Sequence, residues 1–295
     1  MGRLERMKTT WMLSVGAAIL TVGGTASGVS NSPPAPVSRY VSFGLMVQND
    51  TDRLIPETEL WICAPLRASS FQVLQELKTS WPAEEHTDNL GNNLLRLVIS
   101  NIPPYGLKQI LMESSLELAQ EPRPMPVDIE PYLRPEPMLE FDEDSFARLA
   151  PSFPVSGVEQ KARQIFDWVR NHVKDSGNDP VDRGALYALT QQKGDCTEYA
   201  MLFAALCRRE GIPARVLGGY IATRNTVLDP ASYHNWAEGY WNGRWHLADP
   251  QRGVFMKRGQ NYIAMRVKGV SDSPLGTRAR FVCSTAGVSV SMKAR

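Results

Sequence analysis

Apolar and polar positions follow two different rhythms along this chain. From Tyr40 to about Leu118 the apolar residues come in short runs, as in Tyr40-Val41-Ser42-Phe43-Gly44-Leu45-Met46-Val47, Glu59-Leu60-Trp61-Ile62-Cys63-Ala64 and Leu94-Leu95-Arg96-Leu97-Val98-Ile99. Turn formers such as Pro103-Pro104-Tyr105-Gly106 separate them, which predicts the strands of a small β-sandwich over residues 29–121. Past residue 150 the period lengthens. Val158, Ala162, Ile165, Phe166 and Val169 recur at helical spacing and predict an amphipathic helix over 157–173. Tyr199, Leu202, Phe203 and Leu206 repeat the template until Gly211 and Pro213 end it, which predicts a buried helix of about 15 residues.

Between the two rhythms lie six prolines, at 122, 124, 126, 131, 135 and 137. Proline removes a backbone donor and favours extended chain, so residues 122–150 read as a linker. A second domain is expected over 151–268, with 269–295 as strands completing its core. At the start, Arg3, Arg6 and Lys8 precede an apolar stretch from Trp11 to Val22 and then small residues up to Gly28. That order reads as a signal peptide over 1–28, because the apolar stretch is shorter than the roughly 20 residues of a membrane span. The expected location is therefore exported, periplasmic or secreted, with envelope association through the N-terminal segment if the signal is uncleaved.

Composition removes some function classes. The 32 Lys and Arg against 31 Asp and Glu leave a formal charge of +1, with no basic excess to meet phosphates, so nucleic acid is not an expected partner. The four cysteines, Cys63, Cys196, Cys207 and Cys283, form no C-x-x-C pair, so neither a zinc site nor a disulfide scaffold is indicated. No cofactor or metal is expected. Export would permit a bridge between Cys63 and Cys283, though the sequence does not settle the pairing.

Chemistry enters at Gly194-Asp195-Cys196-Thr197-Glu198. Asp195 followed three residues later by Glu198 resembles a capping box, which makes Asp195 the N-cap and Cys196 the first helical residue. There the unsatisfied N–H groups and the helix dipole favour a thiolate, the form a nucleophilic cysteine needs. Cys207 lies inside the same helix and is expected only to pack.

A base follows from a hairpin. Asn242-Gly243 is a strong type I′ turn signal, and it pairs Trp241 with Arg244, Tyr240 with Trp245 and Gly239 with His246. Extending that register sets Trp236 opposite Asp249, which makes His234 and Asp249 diagonal neighbours on one face, at a separation of roughly 7–8 Å that an imidazole and a carboxylate can bridge. His246 falls on the other face. Cys196, His234 and Asp249 thus form a nucleophile, a base and an orienting acid. Three further assignments are weaker. Gln191, Gln192 or Tyr187 would serve as an oxyanion donor, and Glu238 as a site for a substrate amine. Trp236, Tyr240, Trp241 and Trp245 would either pack or line a groove. His172, in the last turn of its helix, is given no function.

With Gly211-Ile212-Pro213-Ala214-Arg215-Val216, His234-Asn235-Trp236-Ala237-Glu238 and Asp249-Pro250, the Cys196 segment resembles the transglutaminase-like superfamily, in particular its exported bacterial cysteine-peptidase type. The resemblance implies an α+β fold: a papain-like core, with the Cys196 helix packed on an antiparallel sheet, preceded by the β-sandwich. It implies cysteine-dependent acyl transfer on a protein or peptide substrate, with hydrolysis of peptide or amide bonds ahead of protein-crosslinking transamidation. An exported binding scaffold without catalysis is the remaining alternative.

Overall fold

The computed structural model describes residues 34–141 and 143–293, so the expected signal peptide lies outside the described residues. Six strands come first: β1 (Val37–Asn49), β2 (Ile55–Cys63), β3 (Gln72–Thr79), β4 (Ala83–Thr87), β5 (Asn93–Ile102) and β6 (Leu107–Leu118). Helices and short strands follow: α1 (Glu143–Leu149), α2 (Val158–His172), β7 (Lys174–Asp175), α3 (Gly184–Gln191), β8 (Lys193–Gly194) and α4 (Cys196–Arg209). The chain then continues as β9 (Ala214–Ile221), β10 (Thr226–Val227), β11 (Tyr233–Trp241), β12 (Arg244–Asp249), β13 (Val254–Phe255), β14 (Tyr262–Lys268), β15 (Phe281–Cys283) and β16 (Val288–Lys293).

Strands β1 to β6 divide between two sheets, one ordered β10-β1-β6-β3 and the other β15-β2-β5-β4. Alternate residues of β1, β2, β5 and β6, among them Phe43, Leu45, Leu60, Leu97 and Ile110, meet in one apolar core between them. This is the inward half of the period-2 pattern. The C-terminal strands, expected to complete the helical half, pair instead with this sandwich. β16 lies antiparallel to β1 and β15 antiparallel to β2. Val288, Val290 and Met292 bring one alternating face to the sandwich core, so the pattern is satisfied there.

The helical half is built on a third sheet, ordered β13-β12-β11-β9-β14. Helix α4 is buried along nearly its whole length, and Leu202, Phe203 and Leu206 share a core with Ile165, Phe166 and Val169 of α2 and with Val216, Ala237 and Ala248 of the sheet. Each such large side chain withdrawn from water contributes about 1.5–3 kcal/mol, which is what holds the helix against the sheet. The proline-rich segment is fastened to this half. Arg208, buried at the end of α4, donates to the Arg134 carbonyl at 2.7 Å and pairs with Glu136 at 2.8 Å, while Tyr132 packs edge-on against Trp245.

Candidate active site

The capping box forms as the sequence predicts. Asp195 Oδ1 accepts from the Thr197 N–H at 2.7 Å, and Glu198 Oε2 accepts from the Asp195 N–H at 3.1 Å. Both carboxylates also hold the chain upstream: Asp195 Oδ2 takes the Asp179 N–H and Glu198 Oε1 the Arg183 N–H. The start of α4 is therefore anchored from both sides, and Cys196 is its first residue.

Burial has a consequence for that thiol which the helix-end argument omits. Cys196 is only 9% exposed, and withdrawal from water, reinforced by the Asp195 charge, pushes it up to about 11. The Asn235 backbone N–H and the Thr197 hydroxyl act in the other direction without prevailing. Burial thus opposes the thiolate that the helix start favours, because desolvation penalises the charged form.

Asn242 and Gly243 both adopt positive φ, and the hairpin register matches the prediction from Ala237 opposite Ala248 to Trp241 opposite Arg244. Beyond the end of that pairing, His234 Nε2 lies 2.7 Å from Asp249 Oδ2, with both side chains buried. Because a carboxylate only accepts, Nε2 carries the proton and Nδ1 is the nitrogen left to act as a base. Asp249 Oδ1 accepts from the Arg252 N–H at 3.1 Å, and Oδ2 takes a second donor, the Tyr262 hydroxyl, at 2.9 Å. Burial raises the Tyr262 phenol well above its usual range, and the Asp249 charge adds to this, so it stays a donor.

Cys196 and His234 line one cavity of about 360 Å³. The structure thus brings Cys196, His234 and Asp249 together, with Asp249 behind His234. Across the cavity, β7 and β8 pair in parallel, Lys174 with Lys193 and Asp175 with Gly194. That pairing lays the following residues beside the start of α4, and Asn178 joins the cavity wall.

The other expected site residues lie elsewhere. Gln191, Gln192 and Tyr187 are not among the cavity-lining residues. Glu238 is buried and bound by Arg215 at 2.7 and 2.9 Å, with that guanidinium stacked 4.1 Å over Trp245, so it is not free to meet a substrate amine. Trp236 and Trp245 are fully buried, and neither Tyr240 nor Trp241 lines the cavity, so the aromatics pack. His246 stacks on Trp241 away from the cavity, and His172 bonds the Leu189 carbonyl. All four cysteines are free, since strand pairing sets Cys63 opposite Leu94 and Cys283 opposite Leu60.

Sequence reasoning missed Tyr262, Asn178 and the Gly218–Gly219 pair. The two glycines sit opposite Asn235 and His234 on β9. A Cβ on Gly219 would collide with the Ile263 carbonyl, and one on Gly218 with the Tyr233 hydroxyl. A Gly-Gly step inside a strand pattern was the available signal.

Among solved structures, a candidate cysteine protease of Cytophaga hutchinsonii has the same fold, with 19% identity, 87% of this chain and 92% of that chain covered, and a TM-score of 0.56. The periplasmic domain of TgpA from Pseudomonas aeruginosa aligns more loosely, with 16% identity over 70% of this chain and 87% of that one, and a TM-score of 0.37. No curated protein sequence matches the chain. Among the described residues no helix is long and apolar enough to cross a membrane. Residues 148–250 match the family model of the transglutaminase-like superfamily, so it is this segment, from the end of α1 to Pro250, that is transglutaminase-like.

Proposed function

We propose that this protein is a cysteine-dependent acyl-transfer enzyme that hydrolyses peptide or amide bonds in an exported compartment. The observation that carries this is the cavity shared by Cys196 and His234, backed by the 2.7 Å contact from His234 to Asp249. His234 Nδ1 takes the Cys196 proton, and the sulfur attacks the scissile carbonyl. Asp249 holds the ring in the required tautomer and balances the imidazolium. The Cys196 N–H at the start of α4 and the Asn178 side-chain amide stabilise the oxyanion. The imidazolium then protonates the leaving amine, and water, activated by the same ring, releases the acid.

A thiol held up to about 11 makes the base indispensable near neutral pH. The cavity wall supports hydrolysis over transamidation: Asp175, Asn178, Ser232 and Gln251 make it polar and accessible to water. Treatment with iodoacetamide followed by peptide mapping tests the site. Cys196 should be labelled first and in a His234-dependent manner, while Cys207 stays unlabelled in the native protein. Equal labelling of the two would remove the assignment. Reacting a glutamine-containing peptide in the presence of dansylcadaverine then separates the chemistries, with free acid expected from hydrolysis and fluorescent amide from transamidation.

A further inference from the structure

Arg252 occupies an unusual place. Its backbone N–H is one of the donors to Asp249, and its exposed side chain belongs to the wall of the cavity that holds Cys196 and His234. Among the described residues its guanidinium makes no ion pair. The one carboxylate in the cavity wall, Asp175, is engaged already: Oδ2 accepts from Gln251 Nε2 at 3.1 Å, and Oδ1 from the Gly177 N–H at 2.9 Å. Next door, the Arg170 guanidinium lies against the backbone of Gly253, and it too has no ion pair among the described residues. The cavity wall therefore carries, on the Asp249 side, a guanidinium with no ion pair among the described residues, and its backbone is held by the same turn that holds the acid.

An arginine left without a carboxylate, beside a site of acyl transfer, is suited to take one from the substrate, because its planar fork matches that group. We propose that Arg252 recognises a carboxylate on the substrate, so that the site acts on anionic peptides or amides. This inference rests on the acyl-transfer reading above.

Two small alkylating probes that differ in charge test it on the full-length protein. Iodoacetate and iodoacetamide both form a C–S bond at Cys196 and expel iodide, the thiol proton passing to His234. Only iodoacetate carries a carboxylate. Because the helix end and the imidazolium also favour an anion, the readout is the ratio of iodoacetate to iodoacetamide rates within each variant. Arg252→Gln should lower that ratio by about three- to tenfold at low salt, and Arg252→Lys should restore part of it. The difference should shrink in 1 M salt. An equal ratio in wild type and Arg252→Gln overturns the inference and leaves the acyl-transfer reading standing. Failure of wild-type Cys196 to be labelled ahead of Cys207 by either probe overturns both.

Discussion

The Tyr262 hydroxyl stands 2.9 Å from Asp249 Oδ2, the oxygen that His234 Nε2 reaches at 2.7 Å. One carboxylate oxygen thus serves two donors, and the other serves the Arg252 N–H. A buried carboxylate satisfied in this way is fixed in position against the His234 ring by donors on both of its oxygens.

Tyr262→Phe keeps the ring edge-on to Trp236, at 5.1 Å, and removes only the donor. Asp249 then becomes a stronger partner for the imidazolium, so the acid limb of the pH profile for Cys196 alkylation should move to higher pH. A hydrogen bond to a charged group contributes about 1.5–3 kcal/mol, and a loss of stability of that order should accompany the shift. An acid limb that stays in place would reduce Tyr262 to packing.

Asp249→Asn should preserve the fold, measured by circular dichroism, while lowering peptide turnover by about 10⁴, as the corresponding change does in a serine triad. Asparagine keeps a hydrogen bond but neither enforces the tautomer nor balances the imidazolium. His246→Ala should leave turnover within about threefold, because this ring faces Trp241 and not the cavity. The reverse pattern would require a different base.

His246 gives the fold a pH dependence of its own. Burial holds it down at about 4 from an ordinary 6.5, with its Nδ1 lacking a partner. The unfolded chain takes up a proton below pH 6.5 that the folded one refuses, so its contribution is complete above that value and is lost as pH falls toward 4. Thermal denaturation across this window should show a falling Tm, and His246→Phe, which keeps the stacking on Trp241, should flatten the fall.

Gly219→Ala should destabilise the sheet by about 1–3 kcal/mol, since the new methyl group meets the backbone of β14, which cannot rotate away as a side chain would. Gly91→Ala is the control: unlike Gly219 it has positive φ, and it has nothing nearby, so its cost is confined to backbone strain in the turn. Urea denaturation midpoints for the two variants separate packing from backbone strain.

Much of the candidate site was legible in the sequence because its determinants are local. The Asp195–Glu198 box spans one helical turn, and the Asn242-Gly243 turn sets a register that carries as far as His234 and Asp249 by strand periodicity alone. Turn chemistry and capping act over a few residues, so composition at those positions suffices. What lay out of reach depends on segments brought together across the fold. Tyr262 arrives on β14 by pairing with β9, Asn178 through the β7–β8 pair, and the C-terminal strands through β1 and β2. The state of the Cys196 thiol belongs with these. The helix start that favours thiolate can be read from the sequence, but the desolvation that opposes it depends on what surrounds Cys196 in the folded protein, and only the tertiary structure decides that.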